Sequence, residues 1–455
     1  MTNLSIYYSS FRDIYNKLRG NLKYILKNKL FKKVSWGVVY RTIGLVISFS
    51  TSIILARTLG VEQFGKYAFI LALTELFTLL ALFGSPSLLI REVAHGISTR
   101  SFGRVLGILN WTRYATILMS FPLMIIAFII FLLWQGDNQQ IALAIVPTFF
   151  ILLTAISRQA TNTIQGNGNI LESQILSIIV PSVIFFLVLT GSLIVFRKNI
   201  SLINIITLLL ISQILTWVII ERKKKQYLPV EIFSSSPEYY SHLWFKSALP
   251  LMFVSSTLLL NTKVDILMLQ YFYNSTDVGL YRVAQRAGQF MLFGIMAVDV
   301  IINPLAAKAS TVKQKIELQQ ILTKSILWIL WFALPLLCLY VIWGQQLIKM
   351  IYGAEYIAAW IPMIILSLGS FSQIFFGRGG IILTMSHYER YTVIIVAIGA
   401  LWNIFLNLQL IPRYGINGAA FATATALVLR AIVEAILTYH KTGFNTTIFA
   451  LPPKI

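Results

Sequence analysis

The sequence predicts an all-α, polytopic membrane protein, with about 12 transmembrane helices in two six-helix lobes around a central cavity. Three observations predict it. Of 455 residues, 57% are hydrophobic and only 12% charged, with a mean hydropathy of +0.77; soluble domains carry roughly a quarter charged residues. Apolar runs of about 20 residues, the length that crosses a bilayer core, recur from one end to the other. Short Gly and Tyr patterns in the first half return in the second.

The first 33 residues precede any such run. Within them Phe11, Ile14, Tyr15, Leu18, Leu22, Ile25 and Leu26 recur at helical spacing among Lys and Arg, as in an amphipathic helix lying on an anionic leaflet. The stretch is too long and too basic for a cleaved signal. Apolar spans are then expected at 34–56, 67–90, 114–134, 141–164, 170–196 and 200–220, the last two divided only by "RKNIS". A polar stretch, "ERKKKQYLPVEIFSSSPEYYSHLWFK" (221–246), is the longest break and reads as a linker. Further spans follow at 248–271, 281–306, 324–343, 357–384, 391–411 and 418–439, before a short tail at 441–455. The organisation is therefore a basic segment (1–33), a six-helix lobe (34–220), a linker (221–246), a second lobe (247–440) and a tail.

Charge sets the expected orientation. The chain carries 37 Lys and Arg against 16 Asp and Glu, a net charge of +21. With both termini inside, 25 of the basic residues fall on the cytoplasmic side and 7 outside, the bias the positive-inside rule requires. Most of the excess is thus topology, and no nucleic-acid partner is expected. One Cys, Cys338 in an apolar run, and four scattered His leave no disulfide framework, metal cluster or metal ligand set. No cofactor is expected. Many aromatics, such as Trp134, Trp343 and Trp360, sit near span ends, where an interfacial belt accounts for them.

The halves echo each other. "EQFGKYAF" (62–69) follows the first span and "TDVGLYRV" (276–283) the seventh, matching Gly65 with Gly279 and Tyr67 with Tyr281. Six spans lie between, so both halves enter the membrane in the same sense. Substrate sites of such proteins lie where the halves meet.

Ionisable residues within spans are costly and mark function. Five are basic: Arg41, Lys263, Arg286, Arg378 and Arg430. Converging on a cavity, they would attract an anionic ligand. Glu75, Asp265, Asp299 and Glu434 are the acids, expected to balance charge or to bind a proton or Na+ during transport. Lys263 and Asp265, two residues apart, face about 200° from each other and need separate partners. Arg430 and Glu434, four apart, suit a local ion pair. Glycines 377, 379 and 380 bracket Arg378, which fits either a cavity lining or close helix packing.

"SIILARTLGVEQFGKYAFILAL" (52–73), "IYGAEYIAAWIPMIILSL" (351–368) and "LIPRYGINGAAFATATA" (410–426), in this order, resemble the polysaccharide (O-antigen type) flippases of the multidrug/oligosaccharidyl-lipid/polysaccharide exporter superfamily. The resemblance spans nearly the whole chain and rests on Gly, Tyr and small-residue patterns. It implies a transporter rather than an enzyme, working by alternating access in the bacterial cytoplasmic membrane with both termini cytoplasmic. Its cargo would be an undecaprenyl-diphosphate-linked oligosaccharide, moved to the outer leaflet for O-antigen or capsule assembly with coupling to H+ or Na+. Membrane lipids, a polysaccharide polymerase and a chain-length regulator are the implied partners. Related drug exporters often carry an acid in the first span; Arg41 stands here instead, which disfavours that alternative. A polymerase is a weaker alternative still, because no outer loop is long enough to build a site.

Overall fold

A computed structural model of the protein describes residues 29–135, 141–195, 200–295 and 312–449. Among these residues the chain is helical throughout and contains no strand. The amphipathic segment expected before residue 29, and Asp299, lie outside the described residues.

The first half comprises α1 (Lys29–Leu82), α2 (Ser85–Ser98), α3 (Phe102–Gln135), α4 (Ile141–Gly166), α5 (Ile170–Gln174), α6 (Val180–Val195) and α7 (Leu202–Tyr227). The short α8 (Val230–Ser234) lies in the linker. The second half holds α9 (Ser241–Phe272), α10 (Ser275–Met291), α11 (Val312–Ile351), α12 (Trp360–Phe375), α13 (Gly379–Met385) and α14 (Glu389–Thr442). Among the described residues eight helices are long and apolar enough to cross a membrane, or nine if α9, whose parts Ser241–Thr257 and Thr262–Phe272 are inclined at 62°, counts as one bent span. α1 and α14 each hold two expected spans. The eighth expected span starts in α10 and leaves the described residues after 295; the other eleven fall on described helices.

Local chemistry explains the breaks. α1 is divided at Gly60 (φ 73°) and α14 at Gly415 (φ 55°), a backbone region open to glycine at little cost. Between α5 and α6 the helix widens into a π-turn, Ile175–Ile179, just before Pro181, which has no N–H to donate. The expected span 357–384 is not one helix: α12 ends at Phe375, Gly377 takes φ 76°, and α13 starts afresh. The second span stops at Leu82, earlier than the apolar run suggests, because Phe83 (φ 46°) and Gly84 (φ 70°) turn the chain into α2.

The linker is docked on the first half. Glu238 donates its backbone N–H to Gly103 O (2.9 Å), and a Cβ on Gly107 would stand 1.8 Å from Glu238 O. Trp244, 1% exposed, reaches the Glu92 carboxylate (3.4 Å), which also takes two hydrogen bonds from Arg104 (2.7 and 3.1 Å). The first turns of α9 are thereby held by α2 and α3, and its last turns belong to the second half. The bend separates the two. The C-terminal segment folds back onto α11 and α12: Asn445 exchanges hydrogen bonds with Gln319 (2.6 and 3.0 Å), and Ile448 N–H reaches Phe375 O (3.0 Å).

Candidate functional site

The bend in α9 places Lys263 and Asp265 at the start of its second limb. Two residues of helix turn their side chains to opposite sides, and each finds its own set of partners. Lys263 faces the first half, where its ammonium meets Glu75 of α1 at 2.7 Å. The other Glu75 oxygen accepts from Arg158 of α4 at 3.2 Å. One carboxylate thus sits between two cations, and the Lys263 contact crosses from one half to the other.

Asp265 faces the second half and is 0% exposed. Its carboxylate accepts from Tyr281 of α10, Thr423 and Asn407 of α14, each at 2.7 Å. Asn403, one helical turn before Asn407, reaches the same carboxylate at 3.2 Å when its amide is turned to satisfy both of its ends. Asn407 keeps a buried carbonyl oxygen without a partner. This is a closed polar pocket, cut off from the Lys263 side by the helix itself.

α10 carries Arg282 and Arg286 one turn apart on a common stripe. Both line a cavity of about 230 Å³ with Ser48, Ser52, Tyr67 and Ser182. Arg282 is steadied by Gln285 (2.8 Å), which in turn donates to Thr262 O (3.3 Å), next to Lys263. Arg286 donates to Ser48 Oγ of α1 (3.4 Å) and leaves its buried Nε without a partner. Glu75 is one turn beyond the cavity-lining Leu71 on α1, and the ion cluster lies within electrostatic reach of Arg282 and Arg286. Lys263, Arg158, Arg282 and Arg286 against Glu75 leave an excess of three positive charges.

The remaining expected residues are dispersed. Arg41 is exposed two turns before Ser48 on α1 and outside the residues that line the cavity. Arg430 is bound to Glu434 (2.7 Å), and Glu434 also accepts from the Gly380 N–H (3.2 Å). That pair caps α13 within the second half and does not join the cluster. Arg378 stands at the start of α13, half-buried, where Gly377 and Gly379 press against the backbones of Thr446 and Glu434. Close packing accounts for those glycines.

On the face opposite the linker the halves are sealed together. Arg57 donates to the carbonyls of Ile351 (2.7 Å) and Met350, and Tyr356, fully buried, donates to Ala56 O (2.9 Å). Gly65 and Gly279, partners in the sequence repeat, meet here: a Cβ on Gly65 would stand 1.6 Å from Ser275 O and 2.9 Å from Gly279 N. Equivalent residues in contact mark where the pseudo-two-fold axis passes.

A family described as polysaccharide biosynthesis protein matches residues 30–309. The chain belongs to this family. Among curated proteins, the probable low-salt glycan biosynthesis flippase Agl15 of Haloferax volcanii is 25% identical over 176 residues, 38% of this chain and 36% of that protein. The aligned part spans about a third of the length of the curated relatives it matches. The inward-facing conformation of a multidrug resistance MATE family transporter of the MOP superfamily superposes with a TM-score of 0.67 at 12% identity, covering 89% of this chain and 98% of that one. The lipid II flippase MurJ, in an inward closed conformation, gives 0.66 at 17% identity, covering 90% and 87%. The fold of the chain is that of these multi-pass membrane proteins.

For this family member, sequence reasoning missed two cluster residues. Arg158 lies within the apolar run 141–164 and Arg282 within the run 281–306, yet neither is among the five basic residues expected there. Both are drawn inward by Glu75 and the cavity. The pair Asn403 and Asn407, four apart in "LWNIFLNLQL", was a signal available in the sequence: amides at that spacing share one helix face.

Proposed function

We propose that the protein is a flippase for a lipid-linked oligosaccharide. Lys263, Arg158, Arg282 and Arg286, gathered where the halves meet, supply what a diphosphate headgroup needs. At an effective dielectric of about 20, each full charge within ~4 Å contributes about 4 kcal/mol of attraction. The observation that carries the reading is that Arg282 and Arg286 line one cavity while Lys263, paired with Arg158 through Glu75, lies within electrostatic reach of both. The lipid tail stays in the bilayer at the seam between the halves. By family resemblance the carrier is undecaprenyl diphosphate, and the glycan is delivered to the outer leaflet of the bacterial cytoplasmic membrane for O-antigen or capsule assembly. In this reading the cargo-accepting state is closed on the face opposite the linker, where Arg57 and Tyr356 join the halves.

Asp265 is the coupling position in this reading. Its carboxylate, the free Asn407 carbonyl and the Thr423 hydroxyl are the hard oxygens that a proton or Na+ takes. Because Asp265 and Lys263 lie within one turn of α9, loading the acid and seating the headgroup both bear on the limb beyond the bend. Arg286→Ala and Lys263→Ala, expressed in a strain lacking the native gene, are expected to abolish surface polysaccharide and leave complete repeat units on the inner leaflet. Wild-type polysaccharide from both variants, at normal membrane abundance, overturns the assignment.

A further inference from the structure

Glu75 lies where an anionic headgroup would be expected. Its carboxylate occupies the space between Lys263 (2.7 Å) and Arg158 (3.2 Å), with Arg282 and Arg286 within electrostatic reach. Nor is it sealed in: the Glu75 side chain is 31% exposed, Arg158 38% and Lys263 16%. Asp265 and Glu434, by contrast, are each fixed by several donors within their own half. Among these acids of the described residues, Glu75 is the one whose partners come from both halves.

We propose that Glu75 is a displaceable internal counter-ion: in the empty protein it holds Lys263 and Arg158, and an arriving diphosphate takes those cations from it. The proposal rests on the headgroup-binding reading above and adds a competitor to it. A carboxylate carries one negative charge and two oxygens, whereas a diphosphate carries more charge on more oxygens and engages Lys263, Arg158 and the arginines of α10 together. Ligand binding then exchanges one ion pair for several. Breaking the Lys263–Glu75 contact also releases the link between α1 and the second limb of α9, so occupancy of the site is transmitted to the seam. The exchange gives selectivity as well: a neutral or singly charged molecule does not repay the loss of the internal pair.

The test uses full-length protein in detergent, with inorganic pyrophosphate as probe. Glu75→Gln keeps the side chain's size and removes its charge, and is expected to bind pyrophosphate about tenfold more tightly, the scale of a lost charge-assisted contact. Lys263→Gln is expected to bind it about tenfold more weakly. If Lys263→Gln weakens binding while Glu75→Gln leaves it unchanged or weaker, the counter-ion proposal fails and the headgroup reading stands. If neither Lys263→Gln nor Arg286→Gln weakens binding, the headgroup reading itself fails. Should Glu75→Gln not accumulate, the infrared difference spectrum of the wild-type protein decides. Pyrophosphate is expected to shift a carboxylate stretch that is lost in Glu75→Asp, and a spectrum with no such shift overturns the proposal.

Discussion

Replacing Gly65 with alanine is expected to open the sealed face. The added Cβ would lie 1.6 Å from Ser275 O, whereas ordinary contact begins near 3.4 Å, so α1 and α10 must part by roughly 2 Å. Forcing a methyl group into a filled contact costs about 1–3 kcal/mol. The gain in helix propensity from Gly to Ala applies in every conformation and cancels between them. Only the state in which these backbones touch bears the cost. A shift of about 2 kcal/mol moves a two-state equilibrium roughly 30-fold. Ser52, 6% exposed and lining the cavity, offers a reporter: Ser52→Cys in a Cys338→Ser background, labelled in intact cells with a membrane-impermeant maleimide. Gly65→Ala is expected to raise the labelling rate about 30-fold. Gly191→Ala, where a Cβ meets nothing within 4 Å, is expected to leave it unchanged. Labelling of Gly65→Ala within twofold of its parent, with the protein folded, would refute the reasoning.

Two further outcomes follow from the acids of the second half. Asp265→Asn removes the charge at the proposed coupling position and keeps its shape; it is expected to abolish ion-driven transport in proteoliposomes while pyrophosphate binding stays within about twofold, since the cations proposed to bind it face the other side of α9. Glu434→Ala strands half-buried Arg430 and the Gly380 N–H, and is expected to cost about 2–4 kcal/mol of stability, read as a lowered thermal midpoint, with pyrophosphate affinity unchanged in the folded fraction.

The fold was largely legible because membrane spans declare themselves by length and apolarity, and eleven of the twelve expected spans fall on described helices. What escaped was local. An apolar run cannot report where the chain turns within it, so Phe83 and Gly84 ended the second span early and Gly377 divided the tenth. The site was legible as a class of residues and not as a constellation. Charge within a span is visible in one dimension, but its partner is set by tertiary packing. Lys263 and Asp265 were seen to need separate partners because helix geometry alone demands it. Arg430 and Glu434 were seen as a pair for the same reason. No local rule connects Arg158 to Glu75, 83 residues away, or Asp265 to Thr423, 158 residues away.

Gly65 and Gly279, matched in the repeat and touching in space, bear on how such a chain arose. A protein half this length, associating with a second copy of itself about a two-fold axis, would bring this one position against its own twin, as isologous assembly requires. A Cβ there would run into the partner's backbone: in this chain one on Gly65 meets Ser275 O at 1.6 Å and one on Gly279 meets Val61 O at 2.3 Å, so each glycine makes room for the other half and a side chain at either position parts the same contact.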